Sequence, residues 1–451
     1  MLFTVPAIVP LTVYKPRLTE VLSRIAYTAL VTLIWLIAMC RWCVLGAVRS
    51  RKFVPLRSQR YGKLAHLTSS QRGGIIFHCV SVGEVVAASC VIKGLLAADP
   101  ELSIVITTTT TTGAQRVSDI FGESLPPNLA HHYLPYDLPW LMTRFLQHVQ
   151  PKLVCITEVE LWPNLFASCA KRQIPICVIN ARMTAKSAQH YRKISALFMP
   201  MLHHVTLVCA QGQRDADAYL GLGLIPDKLV LTHNVKFDQV SNVNVPDEIE
   251  VVATTVKSLA KPTLIAGSTH PGEETFWISV FKQLLRDFPK TLLIIVPRHP
   301  QRFAQVEAEI AHSGLAYVNW ANRAQMTADT QVLFVDAMGV LTPLYTCADI
   351  AFVGGSIANK GGHNALEPAS VGLPVIMGKH TYNNPVICQT LISAGGLSIV
   401  EDIESATQIC QTWLSEPEQA HASGKKGQSV IIENQGALAR TLTHIWNIYP
   451  K

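Results

Sequence analysis

The feature that most constrains the fold is an alternation of short apolar runs with helical stretches, which begins after residue 70. In the first half, runs typical of buried strands lie at residues 75–80, 103–108, 153–157, 174–179 and 206–209. Helical stretches follow most of them, at residues 85–97, 113–121, 164–171 and 213–220. Such alternation predicts an α/β domain with a parallel sheet covered by helices on both faces.

The same alternation restarts in the second half, after a polar segment at residues 232–250 that we interpret as a linker. Predicted strands lie at residues 263–267, 291–296, 331–335, 349–353 and 374–377, and predicted helices at 273–287, 301–313 and 364–372. Because 451 residues are too many for one core, we expect two domains of similar size. Both would be doubly wound, with their carboxyl strand edges facing each other across a cleft.

The positive charge of the chain is concentrated at its amino end. Residues 1–66 contain ten Lys and Arg and one acid, Glu20, which gives +9; with +7 overall, the other 385 residues sum to −2. A near-neutral body with one basic end is not typical of a nucleic-acid-binding protein. It favours a protein that lies on an anionic membrane.

An uncharged run at residues 25–40 predicts a membrane anchor. Sixteen residues are slightly few for a span, but Arg24 and Arg41 could snorkel, and Tyr27, Trp35 and Trp42 could lie at the interfaces. The alternative is a cleavable signal peptide. Because 24 residues precede the run and a basic stretch follows it, we expect a retained single-pass anchor with a cytoplasmic body.

The eleven cysteines are scattered, and several lie in strand-like runs, as Cys79, Cys155, Cys177 and Cys209 do. We expect free buried thiols, which suits a cytoplasmic body. The pair Cys40-x-x-Cys43 has no second pair nearby, so the sequence predicts neither a metal nor a redox role for it.

The acid Glu84 is the strongest catalytic candidate. The segment Ser81-Val-Gly-Glu84 follows the first predicted strand and precedes the first predicted helix. A carboxylate would therefore lie at the carboxyl end of a parallel strand, where α/β proteins place their active sites. The alternative is that Glu84 is a helix cap or dipole partner only.

Other polar groups of the first half also follow predicted strands. The six threonines 107–112 could cap a helix or line the cleft, and we leave both open. Acids and a basic residue after two further strands could pair with each other or hold a polyhydroxylated or phosphorylated acceptor. These residues are Glu158, Glu160 and Arg182.

In the second half, the loops are suited to a nucleotide. Arg298 follows a strand and could bind a phosphate in bidentate fashion. Gly354 and Gly355 would let the backbone approach a ligand, and Asn364 could cap a helix whose free N–H groups attract anions. Glu367, in that first turn, could accept hydrogen bonds from two ribose hydroxyls. The alternative is a capped helix with a dipole-paired acid.

Several enzyme classes lose support because their motifs are missing. No His/Cys cluster has the spacing of a metal site, no Gly-x-Gly-x-x-Gly follows the first strand, and no Gly-Lys-Ser/Thr phosphate loop occurs. The sequence therefore argues against a Rossmann-type dehydrogenase and a P-loop ATPase, and it predicts no metal.

Taken together, these motifs resemble those of the 3-deoxy-D-manno-octulosonic acid (Kdo) transferases of lipopolysaccharide biosynthesis, glycosyltransferase family 30. The resemblance covers nearly the whole chain from the anchor onward. It implies a membrane-anchored, inverting, metal-independent enzyme with the two-domain GT-B fold. The motifs that carry it are Ser81-Val-Gly-Glu84, the threonines with Gly113, Glu158-Val-Glu-Leu-Trp-Pro-Asn164, Asn180-Ala-Arg182, Gly267-Ser-Thr-His270, Pro297-Arg-His-Pro300, Met338-Gly339, Gly354-Gly-Ser356 and Gly361-Gly-His-Asn364-Ala-Leu-Glu367.

The resemblance also implies roles for individual residues. Glu84 would be the general base. The cytidine nucleotide would be held by Pro297, Arg298, Met338, Gly339, Val340, Asn364, Ala365, Leu366 and Glu367.

The chain departs from the family pattern at two positions. Val340 stands where the family usually has Glu, so a contact there would have to come from the backbone. His233 stands where the family motif Gly-Asn-x-Lys-Phe-Asp begins with Gly, which leaves the conformation of the junction open.

The function implied is transfer of Kdo from CMP-Kdo to the lipid A precursor, lipid IVA, at the inner membrane, with no other cofactor and no nucleic acid. Residues 1–66 would form an extension, anchor and basic collar, residues 67–240 an acceptor-binding domain, and residues 241–451 a CMP-Kdo-binding domain. Two alternatives stay open: another GT-B enzyme that uses a UDP-sugar, and an inactive membrane-tethered nucleotide-binding module.

Overall fold

A computed structural model of the protein describes residues 14–46, 58–64, 66–240 and 245–450. The predicted extension before residue 14 and four residues of the basic collar, Arg49, Arg51, Lys52 and Arg57, lie outside the described residues. The side chains of Arg41, Trp42 and Cys43 also lie outside them.

The described residues form two compact units. The first contains residues up to Gln239 together with residues from Gln435 onward, and the second is Val240–Asn434. Each has a seven-stranded sheet in which every neighbouring pair is parallel. The predicted pair of parallel α/β sheets is therefore confirmed.

The strand order places a switch point in each sheet. The first sheet has the order β3-β2-β1-β4-β5-β6-β7 and the second β10-β11-β9-β8-β12-β13-β14. The order reverses direction between β1 and β4 and between β8 and β12, where sheets of this kind bind their ligands. The strands are β1 Ile75–His78, β2 Ile104–Thr108, β3 Leu129–Tyr133, β4 Leu153–Thr157, β5 Ile176–Ala181, β6 Leu207–Ala210, β7 Leu229–Leu231, β8 Thr263–Thr269, β9 Leu292–Pro297, β10 Tyr317–Asn319, β11 Val332–Phe334, β12 Ile350–Val353, β13 Val375–Gly378 and β14 Leu397–Val400.

Helices cover both faces of each sheet. In the first unit they are α1 Leu18–Gly46, α2 Val82–Ala98, α3 Thr111–Phe121, α4 Pro139–Val149, α5 Pro163–Lys171, α6 Ala185–Lys193, α7 Ser195–His204 and α8 Gln213–Gly221. Those of the second unit are α9 Asp247–Ser258, α10 Glu273–Leu284, α11 Phe303–His312, α12 Leu341–Leu344, α13 Leu366–Ser370, α14 Pro385–Ala394, α15 Ile403–Ser415 and α16 Pro417–Asn434. The last helix, α17 Ala437–Ile448, returns to the first unit.

The central strands are mostly apolar because both of their faces are buried, and β1, β2 and β4 have polar residues only at their carboxyl ends. In β1, Ile76 belongs to the core on one face of the sheet, and Ile75 and Phe77 to the core on the other. All four residues of β1 and all five of β4 are buried. This is why the sequence shows continuous apolar runs there instead of a polar–apolar alternation.

Several predicted element boundaries need correction. The helix predicted at residues 364–372 is only Leu366–Ser370, because residues 361–365 lie in an irregular loop. The predicted linker is also shorter than residues 232–250, because Val235–Val240 is a 3-10 helix and α9 begins at Asp247.

Helix α1 is long and apolar enough to cross a membrane and fits the predicted anchor. It packs against α5 and α7, and the amide of Asn164 donates a 3.0 Å hydrogen bond to the Thr28 hydroxyl. Large apolar side chains such as Leu22, Ile25 and Ile37 stay more than half exposed. A surface of this kind needs an apolar partner.

The return of α17 to the first unit has local causes. Asp238 accepts hydrogen bonds from the backbone N–H groups of Gly436 and Leu438, 2.8 Å and 2.5 Å long. Leu442 packs against Gly94 of α2, where a Cβ would approach its Cδ1 to 2.7 Å. Asp238 and Gly94 therefore hold the last helix, α17, against the first unit.

Candidate active site

Glu84 lies at the switch point of the first sheet, in the first turn of α2. Its Oε2 accepts a 2.7 Å hydrogen bond from the backbone N–H of Val80, and its Oε1 accepts one of 2.7 Å from the Ser81 hydroxyl. Ser81 in turn caps the helix by accepting from the Glu84 N–H at 3.4 Å. The N-cap of the helix is therefore Ser81, and Glu84 supports the cap through the Ser81 hydroxyl.

The electrostatic setting of Glu84 differs from that of an ordinary cap. Its side chain is 6% exposed, and burial raises its pKa to about 7. The hydrogen bonds from Val80 and Ser81 oppose this shift, and the nearby charges of Glu160 and Glu158 add to it. A carboxylate with a pKa near neutrality is a stronger base than a solvated one and is still ionised in part at pH 7.

The loop after β4, on the other side of the switch point, supplies two further acids, and a cation from the 3-10 helix Val235–Val240 lies beside them. Glu158 forms a salt bridge with Lys236, in which Nζ lies 3.2 Å from Oε1. The pairing predicted for the acids was with Arg182, but the salt-bridge partner is Lys236. Its Nζ lies 3.7 Å from where a Cβ of Gly83 would be, so the ammonium borders the loop of Glu84.

Buried polar contacts hold these two loops together. His78 is fully buried at the end of β1, and its Nδ1 lies 2.9 Å from the Thr107 hydroxyl. Its Nε2 accepts a 2.9 Å hydrogen bond from the indole N–H of Trp162. Burial lowers the pKa of His78 to about 3, so the ring is neutral and serves as an acceptor. Trp162 therefore has a structural contact that orients its loop.

The threonine run contains a cap. Thr110 accepts a 3.1 Å hydrogen bond from the Gly113 N–H and donates one of 2.9 Å to the carbonyl of Val80. Thr111 and Thr112 remain exposed. The capping interpretation is confirmed, and the exposed hydroxyls leave the lining role open.

The residues at the ends of β4 and β5 adopt backbone conformations that favour glycine. Glu158 has φ 62° and Asn180 has φ 49°. The carbonyl oxygen of the Asn180 side chain accepts from the Val235 N–H at 3.2 Å, and its buried Nδ2 has no partner among the described residues. Non-glycine residues held at positive φ are commonest at functional sites.

In the second unit, Glu273 joins two loops at the switch point between β8 and β12. The carboxylate is fully buried at the start of α10 and accepts four backbone hydrogen bonds of 2.8–3.1 Å. One donor is His270, and the others are Gly355, Ile357 and Ala358. The acid therefore determines the shape of the glycine-rich loop after β12.

The neighbouring Glu274 is also fully buried and anchors the loop after β9. It forms two salt-bridge contacts with Arg302, 2.7 Å and 3.0 Å long, and accepts a 2.7 Å hydrogen bond from Thr269. Gly354 permits the close approach of the loops, because a Cβ there would collide with the backbone oxygen of Ser268.

Arg298 lies at the carboxyl end of β9, where the sequence placed it. Its backbone N–H donates to the Thr269 carbonyl at 3.0 Å, and its side chain is exposed. Nearby, the rings of His270 and His363 stack with their Nε2 atoms 2.8 Å apart. Burial, with the charges of His270 and Arg298, lowers the pKa of His363 to about 4. The exposed side chains of Arg298 and Lys360 carry positive charge in this region.

Two of the predicted nucleotide residues, Asn364 and Glu367, contact each other. The Glu367 carboxylate accepts hydrogen bonds from the Thr342 hydroxyl, at 2.9 Å, and from the Asn364 amide, at 3.3 Å. Asn364 also accepts from the Leu366 N–H at 3.2 Å, but the N-cap position of the helix is Ala365, so the prediction that Asn364 caps this helix is wrong. The segment Met338–Val340 leads directly into the turn that carries Thr342.

The side chains of that segment point to a backbone role. Met338 is 54% exposed, Gly339 has φ 85° with nothing within 4 Å of a Cβ, and Val340 is buried in the core. Val340 therefore offers no side-chain polar group in place of the usual Glu. Among the described residues, no group of three or more His, Cys, Asp or Glu side chains is arranged to hold a metal ion.

Three structural residues were not predicted as parts of the site: Lys236, Glu273 and Thr342. Lys236 lies in the motif that ends the first unit, but its partner Glu158 is 78 residues away. Glu273 looks like any acid in a first helical turn. The sequence offers one signal for the role of Glu273: it is an acid in the first turn of a helix that follows a strand.

Comparison with known proteins identifies the family of the chain. Residues 56–239 match the family model described as 3-deoxy-D-manno-octulosonic-acid transferase (kdotransferase). The Kdo transferase of Haemophilus influenzae is 37% identical over 93% of this chain and 97% of its own length. The Kdo transferase of Bordetella pertussis is 30% identical over 93% of this chain and 96% of its own.

Solved structures of related fold were also found. MurG of Acinetobacter baumannii superposes with a TM-score of 0.52 at 13% identity, over 83% of this chain and 99% of its own, which shows a shared fold. The C-terminal CMP-Kdo-binding domain of WaaA from the same organism matches 41% of this chain and 97% of its own at 28% identity, with a TM-score of 0.39. From the sequence similarity over nearly its whole length, the chain belongs to the Kdo transferases, a family of glycosyltransferases.

Proposed function

We propose that the protein transfers Kdo from CMP-Kdo to lipid IVA with inversion at the anomeric carbon and without a metal ion. The observation that carries this proposal is Glu84, a nearly buried carboxylate with a pKa near 7 at the carboxyl edge of the first sheet. The choice of Kdo as the transferred sugar is supported by the family, because the relatives of the chain are named Kdo transferases.

Glu84 acts as the general base in this proposal. It accepts the proton of the attacking sugar hydroxyl as the new glycosidic bond forms, which increases the nucleophilicity of that oxygen. The Val80 N–H and the Ser81 hydroxyl hold the two carboxylate oxygens and so fix their direction. Lys236, beside Gly83, limits the repulsion among Glu84, Glu158 and Glu160.

The second unit binds the donor. Arg298 neutralises the charge that develops on the phosphate of the departing CMP, a task that other enzymes give to a metal. Glu367, held by Thr342 and Asn364, accepts hydrogen bonds from the ribose hydroxyls. Backbone groups of Met338, Gly339, Val340, Ala365 and Leu366, with Pro297, complete the nucleotide site. No further cofactor enters the proposal.

We also propose the roles of the chain segments. The acceptor-binding domain corresponds to residues 67–240, joined by the returning helix α17, and the donor-binding domain to the rest of residues 241–451. Helix α1 anchors the protein in the inner membrane with the catalytic units on the cytoplasmic side, where a lipid-embedded acceptor is available. The exposed apolar side chains of α1 support this location.

The test is a transfer assay with purified protein in detergent. CMP-Kdo and lipid IVA are incubated with the protein in the presence of EDTA, and the mass of the lipid product is measured by mass spectrometry. The expected result is a mass increase of one or more Kdo units, which also counts the additions. A reaction that stops in EDTA and returns with a divalent metal would contradict the metal-independent proposal.

A nucleotide-protection experiment separates the alternatives. CMP should raise the unfolding temperature of the protein, and UDP should not. Protection by UDP alone would favour a UDP-sugar enzyme. Protection by CMP with no transfer, and no effect of Glu84→Gln, would favour an inactive binding module.

A further inference from the structure

Arg60 is a cation of the first unit that forms no salt bridge with any acid among the described residues. Its Nη1 donates a 3.2 Å hydrogen bond to the Thr109 carbonyl, and its Cζ lies 4.8 Å from the centre of the Tyr136 ring. The side chain is partly buried, and burial lowers its pKa from the ordinary value. Buried charges without a counter-ion are costly, so they are commonly matched by a ligand.

The contacts of Arg60 place it next to the loop of the base. Thr109, which Arg60 holds, follows β2, the direct neighbour of β1 in the sheet. The next residue, Thr110, donates to the Val80 carbonyl at 2.9 Å, and the Val80 N–H donates to Glu84 at 2.7 Å. Three hydrogen bonds, linked through the backbone of Thr109, Thr110 and Val80, therefore connect the guanidinium to the proposed base.

We infer that Arg60 binds a phosphate group of the acceptor, on the sugar ring that carries the attacking hydroxyl. This inference rests on the proposed function, because it takes Glu84 as the base. In lipid IVA that group is the 4′-phosphate. The planar guanidinium matches phosphate oxygens in bidentate fashion. The exposed hydroxyls of Thr111 and Thr112 border the same loop and can donate to further oxygens.

A purely structural role for Arg60 makes a different prediction. If the guanidinium only supports Thr109 and stacks on Tyr136, its loss would affect all acceptors equally. A phosphate site would instead affect only acceptors that carry the phosphate. The distinction can be measured because lipid IVA can be compared with its two monophosphate forms.

The experiment compares three acceptors: lipid IVA, the form that lacks the 4′-phosphate and the form that lacks the 1-phosphate. For each acceptor, kcat and KM are measured in the transfer reaction, and Kd is measured in the absence of donor. The proteins are the wild type, Arg60→Gln, Arg60→Lys and the control Arg116→Gln, which changes an exposed arginine of α3. In the wild type, loss of the 4′-phosphate should raise KM and Kd about 10- to 100-fold, the strength of a charge-assisted hydrogen bond. Arg60→Gln should remove this preference, Arg60→Lys should keep part of it, and Arg116→Gln should leave it unchanged.

Two results would overturn the inference: a wild type indifferent to the 4′-phosphate, or an Arg60→Gln variant that keeps the full preference. If no protein transfers Kdo but the Kd values show the Arg60-dependent preference, the proposed function fails and the phosphate site stands. If Arg60→Gln unfolds, Arg60→Lys decides: a preference weakened relative to the wild type supports the inference, and an undiminished one contradicts it.

Discussion

Glu84 and Glu273 occupy equivalent places in the two units, and their surroundings differ sharply. Each follows the first strand of its sheet and lies in the first turn of the next helix, at a switch point. Glu273 is fully buried and accepts four backbone hydrogen bonds. Glu84 accepts one backbone and one hydroxyl hydrogen bond, and burial raises its pKa to about 7.

The difference shows how one fold position can serve either structure or chemistry. A carboxylate whose lone pairs are all occupied by backbone N–H groups holds loops in place but has little capacity to take a proton. A carboxylate with few donors and little solvent is less stable in its charged form and gains more from protonation. This comparison supports the proposal that Glu84 is the base, whereas Glu273 holds the glycine-rich loop in place.

The largest expected effect is on catalysis by Glu84. Replacement with Gln removes the base, and kcat for Kdo transfer should fall by about 10²- to 10⁴-fold. The CMP Kd should stay unchanged, because the nucleotide residues lie in the second unit. Rates and Kd are measured beside Glu123→Gln, an exposed acid of the first unit that should behave as the wild type. Substantial activity in Glu84→Gln would refute the base assignment.

Glu84→Gln should also leave stability intact or improved at pH 8. The folded-state pKa is above the ordinary value, so the carboxyl contributes stability below about pH 4.5 that is lost as the pH rises through about 7. The neutral amide avoids this loss. Thermal unfolding at pH 5 and pH 8 checks the sign, and a marked destabilisation at pH 8 would show that capping dominates.

Glu273→Ala should have the opposite consequence. Four backbone N–H groups would lose their acceptor, at roughly 3 kcal/mol or more of unfolding free energy, since each unsatisfied buried donor costs about 1–3 kcal/mol. CMP binding should weaken with it, because the glycine-rich loop loses its support. The matched control is Glu404→Ala, an exposed first-turn acid of α15. Equal unfolding curves for both variants would contradict the structural role assigned to Glu273.

Arg298→Ala should weaken the donor site by a smaller amount. Loss of one exposed guanidinium from a phosphate site should raise the CMP Kd and the CMP-Kdo KM about tenfold. Arg286→Ala, an exposed arginine of the same unit, serves as control. An unchanged CMP Kd with lost activity would mean that Arg298 acts in the transfer step alone.

Thr342→Val should have the smallest effect. The hydroxyl orients Glu367 at 2.9 Å, and its loss should raise the CMP Kd only a few-fold, as expected for one net hydrogen bond of about 1 kcal/mol. Thr346→Val removes a hydroxyl from the same region that donates to the Pro343 carbonyl instead. Similar CMP affinity in the two variants would remove Thr342 from the site.

The central strands were predictable because burial on both faces leaves an unbroken apolar run. The strand at Leu153–Thr157 was predicted with its true ends. The strands that were missed, β3, β7, β10 and β14, are the outer strands of the two sheets. Three of them are partly exposed: β7 and β10 at every position and β14 at its two central positions. Their sequences therefore lack the continuous apolar run that marks a buried strand.

The site residues could be found by their position after strands, but their partners could not. Trp162 donates to His78, 84 residues away, and Glu273 accepts from residues 82–85 positions later. Only the folded sheet brings such pairs together. The conformation of the junction was likewise open, and His233 adopts φ 66°, which explains why the family pattern has glycine there.

The most direct test of the central claim is the pH dependence of kcat/KM for Kdo transfer. We predict that it rises with pH and levels off above an apparent pKa near 7, because Glu84 must be ionised to accept the proton. The residual kcat/KM of Glu84→Gln should not show this rise with pH. A wild-type profile that is flat from pH 5.5 to pH 9, or a rise that persists in Glu84→Gln, would contradict the account.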